Sequence, residues 1–196
     1  MTSPVRPVDL DAAPAHPVDA VVALGSNLGD RMASLQAAVD SLAAEPGLQV
    51  VAVSPVVETD PVGGPEQDDY LNAVVVVRCS LSPRELLRAC QRAEAQRGRE
   101  RLVRWGPRTL DVDLVSFDGL VSSDRGPDPE LVVPHPRASQ RAFVLQPWSK
   151  LDPAAVLAGP DGGPVSEFAE RAPDAAGVRQ RPDLRLRLPT TPEVGR

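Results

Sequence analysis

The order in which the apolar periodicity changes along this chain constrains its fold more than any other feature. Val18 to Leu24 (VDAVVAL) is an apolar run of strand length, and Gly25-Ser26-Asn27-Leu28-Gly29-Asp30 reads as a turn into a helix. Met32, Leu35, Val39 and Leu42 then recur at helical spacing until Pro46-Gly47 stops them. Leu48 to Val57 reads as a second strand. Leu71 to Cys79, with Val74 to Val77 suited to a sheet centre, reads as a third. Ser82-Pro83-Arg84-Glu85 joins a capping box to a proline at the first helical position, so a helix begins there. Leu86, Leu87, Cys90 and Ala93 form its apolar face and Gly98 ends it, while Thr109 to Phe117 is a fourth strand. Strand, helix, strand, strand, helix, strand is a split βαβ order. It predicts an α+β, ferredoxin-like βαββαβ core: an antiparallel sheet with helices packed on its faces.

The remainder is less regular and adds a C-terminal hairpin and short helices. Asp118-Gly119 signals a turn, Leu131 to Val133 a short strand, Arg137 to Leu145 a helix and Glu167 to Arg171 a last helical turn. Residues 1–17, proline-rich and poor in apolar side chains, read as a disordered lead-in, and 179–196, rich in Arg and Pro, as a loose tail. One domain over 18–178 is expected between them.

Composition narrows the function classes. A net charge of −6 argues against a general nucleic-acid binder, which would carry a basic surface. The charge is uneven, however. Arginines crowd between Arg84 and Arg108, and the sole lysine is Lys150, so an acidic chain has a cationic middle that suits a phosphate-rich small ligand. Cys79 and Cys90 have no metal or redox spacing and read as reduced, buried thiols. No apolar run approaches the ~20 residues of a membrane span, and the N-terminus lacks the pattern of a signal peptide. A cytoplasmic protein acting as a monomer on small molecules, without nucleic acid or membrane, is expected.

The chemistry concentrates in Arg104 to Leu114, RWGPRTLDVDL. On a strand, Leu110, Val112 and Leu114 point one way and Asp111 and Asp113 the other. At the strand rise, the two Asp Cα atoms stand roughly 6.6 Å apart. Two bare carboxylates at that spacing repel by about 2.5 kcal/mol at an effective dielectric of about 20. Aspartate is also disfavoured in strands. Cations must therefore compensate, either the flanking arginines or Mg²⁺, which takes one or two carboxylates and completes its shell from substrate phosphates. Arg97, Arg99, Arg101, Arg104 and Arg108 could neutralise a polyphosphate and the charge that develops in phosphoryl transfer. A solvated charge run would explain Arg97 and Arg99 alone, but fits Arg104 and Arg108, around Trp105-Gly106-Pro107, poorly.

Other signals are weaker taken singly. There is no GxxxxGK[ST], which excludes a P-loop mechanism, and GSNLGD resembles a phosphate-cradling turn only loosely. Tyr70 and Asn72 share a strand face, which suits stacking and edge hydrogen bonds to a flat heterocycle but also fits a half-buried Tyr and a strand-start Asn. His135 and Phe143 read alone as structural.

Together, ALGSNLGDR (23–31), ETDPVGGPEQDDYLNA (58–73), QRAEAQRGRERLVRWGPRTLDVDL (91–114) and VPHPRASQRAFVLQPW (133–148) resemble the 6-hydroxymethyl-7,8-dihydropterin pyrophosphokinases of folate biosynthesis. The resemblance runs from about Val18 to Ala172. It implies transfer of the β,γ-pyrophosphoryl unit of ATP to the pterin hydroxymethyl oxygen, with release of AMP. It implies that Asp111 and Asp113 hold two Mg²⁺ ions, with Arg101, Arg104 and Arg108 assisting catalysis. It places the pterin between Tyr70 and Phe143, with Thr59, Val62, Asn72 and Trp105 around it. Gln91, Glu94, Arg101, Leu114, His135 and Arg141 would contact ATP, and Arg101 and Arg104 would sit on a loop that closes over the site. The chain departs from the usual pattern in four places: Asp60-Pro61 where proline directly follows the threonine, Pro136 for an aromatic, a basic loop one residue shorter than in some relatives, and Ser139 near the place of a lysine. Two alternatives stay open on the residues alone. One is a ferredoxin-like module binding RNA or a regulatory nucleotide, which would want more aromatics and a basic face. The other is a different Mg-dependent transferase, which would release ADP rather than AMP.

Overall fold

The structure, a computed structural model, describes residues 9–61, 65–97, 107–122 and 131–189. The expected order is present: β1 (Val18–Ser26), α1 (Arg31–Ala44), β2 (Leu48–Val53), β3 (Val57–Thr59), β4 (Tyr70–Cys79), α2 (Pro83–Gln96) and β5 (Asp111–Phe117). Then follow α3 (Ala142–Leu151), β6 (Val156–Leu157), β7 (Gly163–Pro164), α4 (Val165–Arg171) and β8 (Val178–Gln180). The main sheet runs β5-β1-β4-β3-β8, with β2 also paired to β4, and its pairings are antiparallel. This is the ferredoxin-like order. The added hairpin is β6 with β7.

Each face of the sheet has its own core. Val22 and Leu24 of β1, Leu71 and Val75 of β4, and Val112 and Leu114 of β5 pack under α1 and α2 with Leu35, Val39, Leu42, Leu86 and Cys90. The alternate residues Val21, Ala23, Val74 and Val115 pack with Val144, Leu145 and Trp148 of α3 and Val165 of α4. Burial of each large aliphatic side chain contributes about 1.5–3 kcal/mol, so two-sided burial dictates the apolar runs of β1 and β4. The capping box of α2 forms as read: Glu85 Oε2 accepts from Ser82 N at 2.8 Å, and Ser82 Oγ accepts from Glu85 N at 3.3 Å. Cys79 and Cys90 are free and buried, and burial pushes the Cys90 thiol up to about 12.

Several expectations are corrected. The strand read over Leu48 to Val57 is broken in two. Pro55 has no N–H to give a ladder, and Ser54 fills the gap: its N donates to Val74 O and its Oγ accepts from Val74 N, both at 2.8 Å. Leu131 to Val133 is not a strand; Val133 N donates to Ser122 Oγ at 2.8 Å and a cis peptide joins Val133 to Pro134. The helix read over Arg137 to Leu145 is a 3-10 turn at Ala138–Gln140 followed by α3, which continues to Leu151.

Both ends are more tied down than their composition suggests. Leu10 packs on the α1–α2 core, Arg84 N donates to Leu10 O at 3.1 Å, and Arg84 pairs with Asp11 at 2.6 Å. Residues 179–189, read as loose, contribute the last two residues of β8 on β3, a buried Leu186, and an Arg187 N that donates to Gln36 Oε1 at 2.8 Å. Leucines among polar residues supply the anchors: Leu10 at one end, Leu184 and Leu186 at the other. Among the described residues no helix is long and apolar enough to cross a membrane.

Candidate functional site

The second face of the sheet is covered unevenly. Along β1 it presents Val21, Ala23 and Gly25; along β4, Val74, Asn72 and Tyr70; along β5, Val115, Asp113 and Asp111. The apolar members lie under α3 and α4. Toward the other end Gly25 pairs with Asn72 on one side and Asp111 on the other, and the face opens into a cavity of about 600 Å³. Thr59, Tyr70, Asn72, Asp111, Asp113 and Phe143 all line it, joined by Arg108 and Arg141.

The carboxylates have the cations that their spacing requires. Arg108 Nη1 lies 2.7 Å from Asp111 Oδ2, and Arg141 Nη1 lies 3.5 Å from Asp113 Oδ2. Burial opposes the charge on Arg108, but Asp111, Tyr70 and Asp113 outweigh it and raise its pKa. The first pairing is with a flanking arginine. The second comes from 28 residues downstream, in the segment before α3. Among the described residues no group of three or more His, Cys, Asp and Glu converges on a metal position. Two oxygen donors on one strand face, open to a cavity, fit a hard ion that takes its other ligands from phosphate and water, as Mg²⁺ does.

The other wall is amide, hydroxyl and aromatic. Asn72 Nδ2 donates to Thr59 Oγ1 at 2.9 Å, and both residues are buried. Tyr70 OH donates to Gln67 Oε1 at 3.4 Å, and burial, with Asp111 adding, raises the phenol's pKa against the lowering effect of Arg108. Phe143, half-buried, enters from α3 with the Arg141 guanidinium 5.5 Å from its ring centre.

Four residues that are not among the expected site residues help to build this site. Gly25 belongs to β1, not to the turn, and a Cβ there would stand 3.1 Å from Asn72 Oδ1 and 4.0 Å from Asp111 Cβ. A glycine inside a strand pattern is the signal that could have found it. Ser26 and Asn27 are staples rather than a phosphate cradle. Ser26 Oγ donates to Thr109 O at 2.6 Å. Asn27 Oδ1 accepts from Arg108 N at 2.7 Å, and its Nδ2 donates to Gln67 Oε1 at 2.9 Å. One buried amide thus joins the two sides of the cavity mouth. Asp174 also lines the cavity, and its Oδ1 accepts from Ala142 N at 2.8 Å at the start of α3, directly before Phe143.

Some of the residues implied for ATP contact lie off this cavity. Glu94 is buried on α2 and its Oε1 accepts from Val112 N at 2.9 Å, which secures the strand carrying the two aspartates. Leu114 is in the α1–α2 core, and Gln91 is exposed on α2. Val62, Arg101, Arg104 and Trp105 lie outside the described residues.

His135 N donates to Val115 O at 2.8 Å, and its Nδ1 accepts from Arg137 N at 3.1 Å. Burial, then Arg141 and Arg137, push its imidazole down to about 4, with Asp111 pulling the other way. Its neutral form therefore stabilises the fold fully above its ordinary 6.5, and that contribution is lost as pH falls toward 4. Urea midpoints are expected to climb between those pH values in the parent protein and to climb less in His135→Asn. Equal slopes would contradict a neutral imidazole at this half-buried position.

Comparison with known proteins shows the family. The family described as 7,8-dihydro-6-hydroxymethylpterin-pyrophosphokinase (HPPK) matches residues 21–153. The 2-amino-4-hydroxy-6-hydroxymethyldihydropteridine pyrophosphokinase of Methylorubrum extorquens is 44% identical over 140 residues, covering 71% of this chain and 86% of that protein. The enzyme of the same name from Bacillus subtilis is 44% identical over 132 residues, covering 67% and 77%. Among solved structures, an HPPK-DHPS in complex with substrates superposes with a TM-score of 0.61 at 11% identity, over 80% of this chain and 43% of that one. Plasmodium falciparum HPPK-DHPS with pterin and p-hydroxybenzoate gives 0.61 at 12%, over 87% and 48%. The chain spans less than half of these solved chains, and at such identities the likeness establishes the fold. With two thirds of the sequence matched, the chain belongs to the 7,8-dihydro-6-hydroxymethylpterin-pyrophosphokinase family.

Proposed function

We propose that the cavity over β4, β1 and β5 is where this enzyme binds its pterin and the phosphates of ATP, and that Asp111 and Asp113 hold two Mg²⁺ ions there. The reaction itself is that of the family: pyrophosphate passes from ATP to the hydroxymethyl group of 6-hydroxymethyl-7,8-dihydropterin in folate biosynthesis, and AMP leaves. What carries the site assignment is the meeting, in one cavity, of a carboxylate pair with an aromatic and amide wall.

Each wall has a task. Asn72 and Thr59 offer an amide and a hydroxyl to the polar edge of a flat ring, and Tyr70 and Phe143 offer aromatic surface to its faces. Gly25 keeps the floor between Asn72 and Asp111 flat enough for that ring. Mg²⁺ bound to the carboxylates would supply Lewis acidity to the phosphate oxygens and reduce repulsion against the incoming hydroxyl. Arg108 and Arg141 are at hand to exchange their carboxylate partners for phosphate oxygens, since the guanidinium fork matches both. The roles of Arg101, Arg104 and Trp105 rest on the sequence resemblance.

The test is to incubate the protein with Mg-ATP and 6-hydroxymethyl-7,8-dihydropterin and follow products by mass spectrometry and chromatography. The pterin diphosphate and AMP should form in equal amounts; ADP instead would point to single phosphoryl transfer. Gly25→Ala should keep the fold, because the nearest obstacle is a side-chain amide, and should raise the pterin Kd about tenfold, in line with about 1–3 kcal/mol for overpacking. Unchanged pterin binding would remove Gly25 from the floor of the subsite.

A further inference from the structure

Arg179 closes the neck of the connection between β3 and β4. Its Nη1 lies 2.7 Å from Asp60 Oδ1 and its Nη2 lies 2.7 Å from Asp69 Oδ2. β3 ends at Thr59, β4 starts at Tyr70, and these two residues pair, so the carboxylates occupy the next position on either strand. One guanidinium therefore ties both flanks of the connection. Arg179 is itself fixed by β8, where Val178 pairs with Thr59 and Arg179 with Glu58. A second set of contacts backs the first. Arg181 reaches Glu58 at 3.1 Å, Glu58 reaches Arg31 at 2.9 Å, and Arg31 Nη1 donates to Asp69 O at 2.7 Å.

The flanks matter because they make one wall of the cavity: Thr59, Asp60, Gln67 and Tyr70 all line it. The restraint on Asp60 comes from a distant strand, and Arg179 lies beyond the residues matched to the family.

We propose that Arg179 is a positioning residue for the pterin, setting the wall formed by Thr59 and Tyr70 through its grip on Asp60 and Asp69. The role rests on the assignment of this cavity to the pterin. An isolated exposed ion pair contributes little. This one is a fork spanning two carboxylates within a network, so its leverage lies in geometry more than in stability.

The test uses the full chain with Arg179→Met, Arg179→Lys, Asp60→Asn and the Asp60→Asn/Arg179→Met double variant. Calorimetry gives the pterin Kd, and steady-state kinetics give kcat and both KM values. Arg179→Met should raise the pterin Kd and KM about three- to tenfold, with kcat and the KM for ATP within about twofold. Arg179→Lys should recover part of the loss. Asp60→Asn should show a smaller loss, and the double variant should be no worse than Arg179→Met. An unchanged pterin Kd in Arg179→Met, a parallel rise of both KM values, or fully additive losses would overturn the role. If Arg179→Met does not fold, Arg179→Lys and Asp60→Asn carry the test through the same split between KM values. Failure of the parent protein to bind pterin would instead overturn the cavity assignment.

Discussion

Asp113→Asn is expected to lower kcat about 10²–10³-fold at saturating Mg²⁺ and substrates, the range for losing one preorganised electrostatic contact. Asparagine keeps the shape of the side chain and removes its charge. Asp113 faces the cavity from β5, opposite Ala23 in the ladder, and buries no apolar surface that the substitution would expose. Removing one of two like charges on the strand relieves repulsion, while the Arg141 contact at 3.5 Å is long and half-solvated, so the melting temperature should change little. Steady-state kinetics alongside thermal melts separate the two effects. Near-normal turnover in Mg²⁺ would reject a metal-holding role for Asp113, and a large drop in melting temperature would make the kinetic loss uninformative about metal.

Phe143→Ala is expected to weaken pterin binding by about 1–3 kcal/mol, the range for a lost stacking contact, and nucleotide binding by much less. The helix should survive, because alanine is a strong helix former and α3 keeps its cap from Asp174 to Ala142 N at 2.8 Å. Phe143 also carries the Arg141 guanidinium near its ring, so some loss at the phosphate end should accompany the larger loss at the pterin. Calorimetry with the pterin and, separately, with a non-hydrolysable ATP analogue reads both. Equal losses for the two ligands would contradict the stacking assignment.

What the sequence made legible was what depends on local period. The apolar spacing of α1 and α2 and the valine runs of β1 and β4 led to the split βαβ order. Alternation along β5 was enough to place Asp111 and Asp113 opposite Val112 and Leu114. The same alternation put Tyr70 and Asn72 on one side. Contacts that cross the fold were not legible in this way. That Arg141 serves Asp113, that Asn27 joins Arg108 to Gln67, and that Asp174 caps α3 all depend on residues brought together by tertiary packing. Glu94 shows the opposite difficulty: it sits close in sequence to the basic loop, yet it bonds the backbone of β5. The carboxyl-terminal strand escaped notice because three residues of edge pairing, Val178–Gln180, leave almost no periodic signal among prolines and arginines.

The most direct measurement is a crystal grown with Mn²⁺ in place of Mg²⁺, a non-hydrolysable ATP analogue and 6-hydroxymethyl-7,8-dihydropterin, read by manganese anomalous scattering. The expected map has the metal peaks in contact with the carboxylates of both Asp111 and Asp113 and with the polyphosphate, and the pterin ring against Tyr70, Asn72 and Phe143. Metal peaks elsewhere, with those carboxylates turned from the phosphates, would contradict the site as assigned.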